Sequence, residues 1–201
     1  MGTLVMIRHG QSIWNAENKF TGWVDVDLSD KGVSEASEAG RLLQDLDFDA
    51  VFTSDLTRAK RTASIILGLN NSWDGREVRH DARLNERNYG DLQGRNKQEC
   101  RDQFGDDQVR IWRRSFKGQP PGGESLEMTA ERALPCLFED IIPRLDAGET
   151  VLVAAHGNSL RSLVMEIEGL SPEAIVEREI PTGTPMVYTY SEGAWEGTEI
   201  N

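Results

Sequence analysis

An α/β sandwich with a mostly parallel central sheet, three layers deep in αβα order, is predicted by three features of the sequence. Short apolar runs that read as strands buried on both faces recur at Thr3–Ile7, Asp49–Ser54 and Thr150–Ala155. Stretches with helical periodicity separate them, the alternation expected of a parallel sheet covered by helices. The length of 201 residues is enough for one domain with a real core, and the whole chain, 1–201, is read as a single domain.

Each element has a local reason. Thr3–Ile7 is an apolar run ended by a glycine turn, and Ser12–Asn18 begins a helix. "FTGWVDVDLSDKG", Phe20 to Gly32, is rich in turn formers and aromatics and reads as loop, with Ser29 as N-cap of a helix to about Leu46. The second strand is followed by a helix over Leu56–Leu67, and Glu77–Leu84 has the character of a further strand. Helices are expected over Asn96–Phe104 and Asp106–Ser115, then the loop "FKGQPPGGES". A long helix spans Ser125–Leu145, where Pro135 predicts a kink or break. After the third strand come helices over Ser159–Glu168 and Pro172–Glu177, the latter with Pro at its first position, and a last strand, Met186–Tyr190.

Composition restricts the function classes. The formal net charge of -12 argues against a nucleic-acid partner and an acidic membrane surface. It also makes arginine clusters informative, since local positive charge must be assembled against an acidic background. The basic residues are five Lys and 17 Arg, and an acidic surface poor in Lys is compatible with a high-salt cytoplasm. No apolar run approaches the roughly 20 residues of a membrane span, and Met1–Ile7 is too short for a signal peptide. Cys100 and Cys136 form no metal or redox spacing, and two thiols in such a chain point to a reducing cytoplasm.

Two of the three histidines share one setting. "LVMIRHGQS" and "VLVAAHGNS" each run from an apolar strand into His-Gly, a side-chain amide and Ser, placing His9 and His156 just past strand ends. Ligands of parallel sheets bind there. A lone histidine at a strand end is ordinarily a packed core residue, but Arg8 before His9, Gly10 after it and the second His-Gly argue otherwise. Neither histidine has a neighbouring His, Cys or HExxH partner, so no metal is expected. A guanidinium recognises phosphate bidentately and would repel a dication. An imidazole nitrogen can carry a phosphoryl group covalently, provided cations and N–H donors neutralise its oxygens. Arg8, Arg58 and a positively charged His156 are candidates for that work.

Taken in order, "RHGQS", "FTGWVDVDLSDKG", "TSDLTRAKRT", "RLNERNYGDLQGRNK", "IWRRS", "AAHGNSLR" and "IPTGTP" resemble the cofactor-dependent phosphoglycerate mutases of the histidine phosphatase superfamily. Arg-His-Gly marks the superfamily; "NERNYG", "IWRRS" and "IPTGTP" are specific to the mutase branch. The resemblance implies the phosphoglycerate mutase-like fold, His9 as the nucleophile and Glu86 as proton donor and acceptor, with Arg8, Arg58 and His156 holding the transferring group. It places Gly10, Gln11, Ser12, Asn15, Thr21, Gly22, Arg87, Tyr89, Lys97, Arg113, Arg114, Gly157 and Asn158 around a small anionic phosphorylated substrate. It implies 2,3-bisphosphoglycerate as primer and no metal. A phosphate dianion nearby is expected to raise the Glu86 pKa toward neutrality, which suits a group that both gives and takes a proton.

Two departures stand out. Asn88 occupies a position where many of these mutases have His, and the stretch between Arg114 and Glu124 is much shorter than in the longer members. The short stretch leads to the expectation of a monomer or weak homo-oligomer. Alternatives to the isomerase are a phosphatase of the same superfamily, with water as acceptor, and a non-catalytic phosphometabolite-binding protein. The cations Lys97, Arg113 and Arg114 distinguish mutase from phosphatase, because a bisphosphorylated, carboxylated intermediate needs a second anionic pocket. The presence of His9, Glu86 and His156 together disfavours a pure binder.

Overall fold

The computed structural model describes residues 1–76 and 78–198. Six strands form one sheet in the order β3-β2-β4-β1-β5-β6: β1 (Gly2–Arg8), β2 (Ala50–Thr53), β3 (Val78–His80), β4 (Thr150–Ala155), β5 (Pro185–Ser191) and β6 (Ala194–Thr198). The first four in that order are mutually parallel, β5 runs antiparallel to β1, and β6 runs antiparallel to β5. The predicted sandwich is present.

Alternation along β1 shows how the layers are made. Leu4 and Met6 pack on one face against α6 (Leu126–Cys136), α7 (Ile142–Asp146), α8 (Gly157–Ile167) and α9 (Pro172–Glu177). Val5 and Ile7 pack on the other against α2 (Asp30–Leu42) and α3 (Thr57–Leu69). All four are fully buried, which is why the run reads as continuously apolar. A satellite core of Phe20, Leu92, Cys100, Val109 and Trp112 holds α4 (Lys97–Phe104) and α5 (Asp106–Arg114) over the carboxyl end of the sheet.

Several boundaries differ from the sequence reading. α1 covers only Ile13–Ala16, capped by Ser12, and α2 stops at Leu42 rather than Leu46. The expected strand to Leu84 ends at His80, because Asp81 accepts the Arg83 amide and turns Ala82–Leu84 into a 3-10 turn. Its expected first residue, Glu77, lies outside the described residues, as do 199–201. Pro135 sits inside α6, and the disturbance falls just beyond it as a π turn over Leu137–Ile141. α8 starts at Gly157, two residues earlier than expected, so His156 is its N-cap. The β5–β6 hairpin extends the sheet by a strand that was not foreseen. No helix among the described residues is long and apolar enough to cross a membrane.

Candidate active site

β1 and β4 pair in parallel with Arg8 beside Ala155, so the next residues, His9 and His156, leave the sheet side by side. The His9 amide donates to the Ala155 carbonyl at 3.0 Å, and the two ring centroids lie 4.9 Å apart. His9 Nδ1 is 2.6 Å from the Gly10 carbonyl oxygen. A carbonyl only accepts, so the proton sits on Nδ1 and the lone pair on Nε2. Burial first, then Arg58 and Arg8, hold the imidazole pKa well below its ordinary value. The ring is therefore held neutral with its Nε2 lone pair free.

Close backbone packing fixes this turn. The Gly10 amide donates to Thr62 Oγ1 at 3.1 Å, and a Cβ on Gly10 would overlap the Gly32 carbonyl at the start of α2. The Gln11 amide donates to Glu35 at 2.7 Å and its side-chain carbonyl accepts from Ser29 Oγ at 2.9 Å.

Glu86 reaches the same place from the segment after β3. Its Oε1 accepts from the Arg87 amide at 2.8 Å and the Asn158 amide at 3.0 Å, which ties it to the first turn of α8. Burial, the largest influence, pushes its pKa up. The Arg87 amide, Arg8, Arg58 and Asn158 more than offset this and hold it below the ordinary value. The expected rise is thus not set by the protein alone. A phosphate dianion among the guanidinia would offset their pull and let burial act.

Arg58 and Arg8 are held by carbonyls rather than by acids. Arg58, on α3, donates to Val24 at 3.0 Å and Gly22 at 2.7 Å, and its pKa is drawn down to about 10 by burial foremost. Arg8 donates to Ile180 at 2.9 Å. Among the described residues, Arg8 Nε, Arg58 Nε, Thr21 Oγ1 and His156 Nδ1 are buried side-chain atoms of this region with no hydrogen-bond partner. Unsatisfied buried donors are costly, and an oxyanion is what two guanidinium N–H groups and a hydroxyl would satisfy. The pKa of Lys97, half-buried and close to Arg113 and Arg8, is lowered to about 8.

One cavity is lined by Arg8, His9, Asn15, Thr21, Gly22, Arg58, Glu86, Tyr89, Lys97, Arg113, Arg114, Gly157 and Asn158, all anticipated from the sequence. Five anticipated residues do not line it. Gly10, Gln11 and Ser12 brace the turn beneath His9, and Ser12 caps α1. Arg87 is fully buried and donates to the Tyr89 hydroxyl and the Arg113 carbonyl. His156 lies behind His9 with Nε2 2.6 Å from Ser54 Oγ. Burial first, then Arg58, His9 and Arg8, hold its pKa well below the ordinary value.

The sequence reading missed Lys19, Phe20, Arg161 and Glu179 on the cavity wall. Arg161 stands one helical turn after Gly157 on α8, a spacing that could have found it. Its pKa is drawn down to about 10 by burial and then Arg114. Glu179 pairs with Arg114 at 2.7 Å, and nothing in its local sequence marks it. A grouping of Asp81, Cys136 and Asp140 does not line the cavity and is bridged by Arg83 to both carboxylates.

The chain resembles known proteins over nearly its whole length. A protein of Xanthobacter autotrophicus named 2,3-bisphosphoglycerate-dependent phosphoglycerate mutase is 56% identical over 92% of this chain and 90% of its own length. One of the same name from Nitrobacter hamburgensis is 51% identical over 98% and 96%. Among solved structures, Bacillus stearothermophilus YhfR superposes with a TM-score of 0.85 at 28% identity, over 98% of this chain and 95% of that one. A mycobacterial glucosyl-3-phosphoglycerate phosphatase complexed with VO3 gives 0.85 at 26% identity, over 98% of each chain. The model of the histidine phosphatase superfamily (branch 1) matches residues 4–201, and the chain belongs to that superfamily.

Proposed function

We propose that the protein is a 2,3-bisphosphoglycerate-dependent phosphoglycerate mutase, a cytoplasmic isomerase interconverting 3-phosphoglycerate and 2-phosphoglycerate in glycolysis and gluconeogenesis. The observation that carries this reading is the presence of two groups of cations in one cavity. Arg8 and Arg58 stand with His9. Arg113 and Arg114 line the same cavity from the end of α5, with Lys97 at the start of α4. A monophosphate needs only the first group; a bisphosphorylated carboxylate needs both. The names of relatives above 50% identity support the same reading.

In this mechanism His9 Nε2 attacks phosphorus, the phosphorus–oxygen bond breaks, and Glu86 gives its proton to the departing oxygen. Nδ1 keeps its proton through the bond to Gly10. Arg8, Arg58 and the first turn of α8 receive the equatorial oxygens. In the return step Glu86 takes the proton of the accepting hydroxyl. The bisphosphate supplies the phosphoryl group that first charges His9, and the unpartnered donors of Arg8, Arg58 and Thr21 fit such a group.

A phosphatase reading is favoured by one observation: Glu179 already neutralises Arg114, which weakens the second cation group. Incubation with 3-phosphoglycerate, with and without 2,3-bisphosphoglycerate, separates the readings. Primer-dependent 2-phosphoglycerate is the expected product. Release of inorganic phosphate without isomerisation would replace the mutase by a phosphatase, and no turnover would leave a binding protein.

A further inference from the structure

Glu86 lies between two short 3-10 turns, Ala82–Leu84 and Gly90–Leu92, on a segment with no longer element of its own. Its position is set from α6. Arg132 Nη1 donates to the carbonyls of Arg83 at 2.8 Å and Asn85 at 2.9 Å, and Nη2 to that of Glu86 at 2.8 Å. Nε and Nη2 each donate to the Glu124 carboxylate at 2.9 Å. A guanidinium has five N–H donors, and all are used here. Glu124 in turn grips the far end of the segment: its Oε2 accepts the Asn88 amide at 2.8 Å, and its own amide donates to the Asn88 carbonyl at 2.8 Å. Trp23 closes the clamp, with Nε1 donating to the Glu86 carbonyl at 2.5 Å and its ring 5.5 Å from the Arg132 guanidinium carbon. Neither Arg132 nor Glu124 lines the cavity.

We infer that Arg132, held by Glu124, is the positioning residue for the Glu86 carboxyl and governs proton transfer without touching substrate. The inference rests on the proposed role of Glu86 as the acid. Three carbonyls bound by one planar fork fix the 83–88 backbone in direction and distance, and Glu124 fixes the fork. Lysine, a point charge on a flexible stem, cannot reproduce this. When His9 Nε2–P forms and the donor P–O bond breaks, an alkyl alcohol leaves only if Glu86 delivers its proton. A dinitrophenolate leaves without one. Damage to the clamp must therefore discriminate between leaving groups, whereas general damage to the fold does not.

The test uses the full-length protein and its R132M, R132K and E124Q variants, with rapid-quench rates of His9 phosphorylation from 2,3-bisphosphoglycerate and from 2,4-dinitrophenyl phosphate. A misplacement near 1 Å costs on the order of 100-fold. R132M should lose roughly that with the bisphosphate and less than about 3-fold with the aryl ester, with R132K and E124Q showing the same split more weakly. Equal losses with both donors, or no loss with either, would overturn the inference. If R132M does not fold, E124Q, which keeps the arginine, decides by the same ratio. If the wild type is not phosphorylated by 2,3-bisphosphoglycerate, the mutase reading fails by itself, and glycerol phosphate replaces it as the alkyl donor for judging the clamp.

Discussion

The two imidazoles are buried beside guanidinia and held neutral, with folded pKa values below the ordinary one. An unfolded histidine titrates near pH 6.5. Below that pH the unfolded chain binds protons that the fold refuses, so stability falls as pH drops. Each imidazole contributes about 1.4 kcal/mol per pH unit once below its unfolded pKa. Glu86 adds a loss of the same sign only near and below the ordinary carboxylate pKa, and Lys97 acts only above about 8. Denaturant midpoints between pH 6.5 and 5 should therefore decline in the wild type and decline less in His156→Gln. Identical slopes would mean that His156 is protonated in the fold. The same chemistry leaves the His9 lone pair available in mildly acidic buffer without a base to deprotonate it.

At the scale of elements, the turn after β1 is pressed between the starts of two helices. A methyl on Gly10 would meet the Gly32 backbone, which cannot move like a side chain. Gly10→Ala should cost about 1–3 kcal/mol by overpacking and slow phosphorylation of His9, whose Nδ1 partner is the Gly10 carbonyl. Gly68→Ala is the contrast: it lies exposed in α3 with nothing near the new methyl, and should gain up to about 1 kcal/mol from helix propensity. Urea unfolding of both variants checks the opposite signs. These elements differ in how well the sequence announces them. β1, β2 and β4 are buried along nearly all of their length and stand out as apolar runs. β3 exposes two of its three residues at a sheet edge, and β6, "AWEGT", has no apolar alternation, so neither has a pattern that fixes its limits. His9 and His156 were legible because each ends such a run. The Arg132 clamp was not, since its carbonyl partners are defined only by how the 83–88 segment meets α6.

Across the whole molecule, a net charge of -12 surrounds a cavity lined by arginines and two lysines, so the fold must gather its positive charge from distant parts of the chain. Sheet order decides when that gathering happens. β4 lies between β2 and β1, which do not pair with each other, and β1 and β5 meet only through the chain's last third. A ribosome that has delivered β1, α2, β2 and α3 has therefore made strands with no central neighbour, and pairings so distant in sequence form slowly. The wedge that completes the sheet is also the strand that brings His156 and the α8 amides to His9. Pulse-labelled hydrogen exchange during refolding should show β1 and β2 amides gaining protection together with those of β4, in the same phase in which phosphate-acceptor activity returns. Protection of β1 and β2 well ahead of β4 would break the link. Otherwise a partly made chain has no means of taking phosphate from metabolites, and the birth of the catalyst coincides with closure of the core.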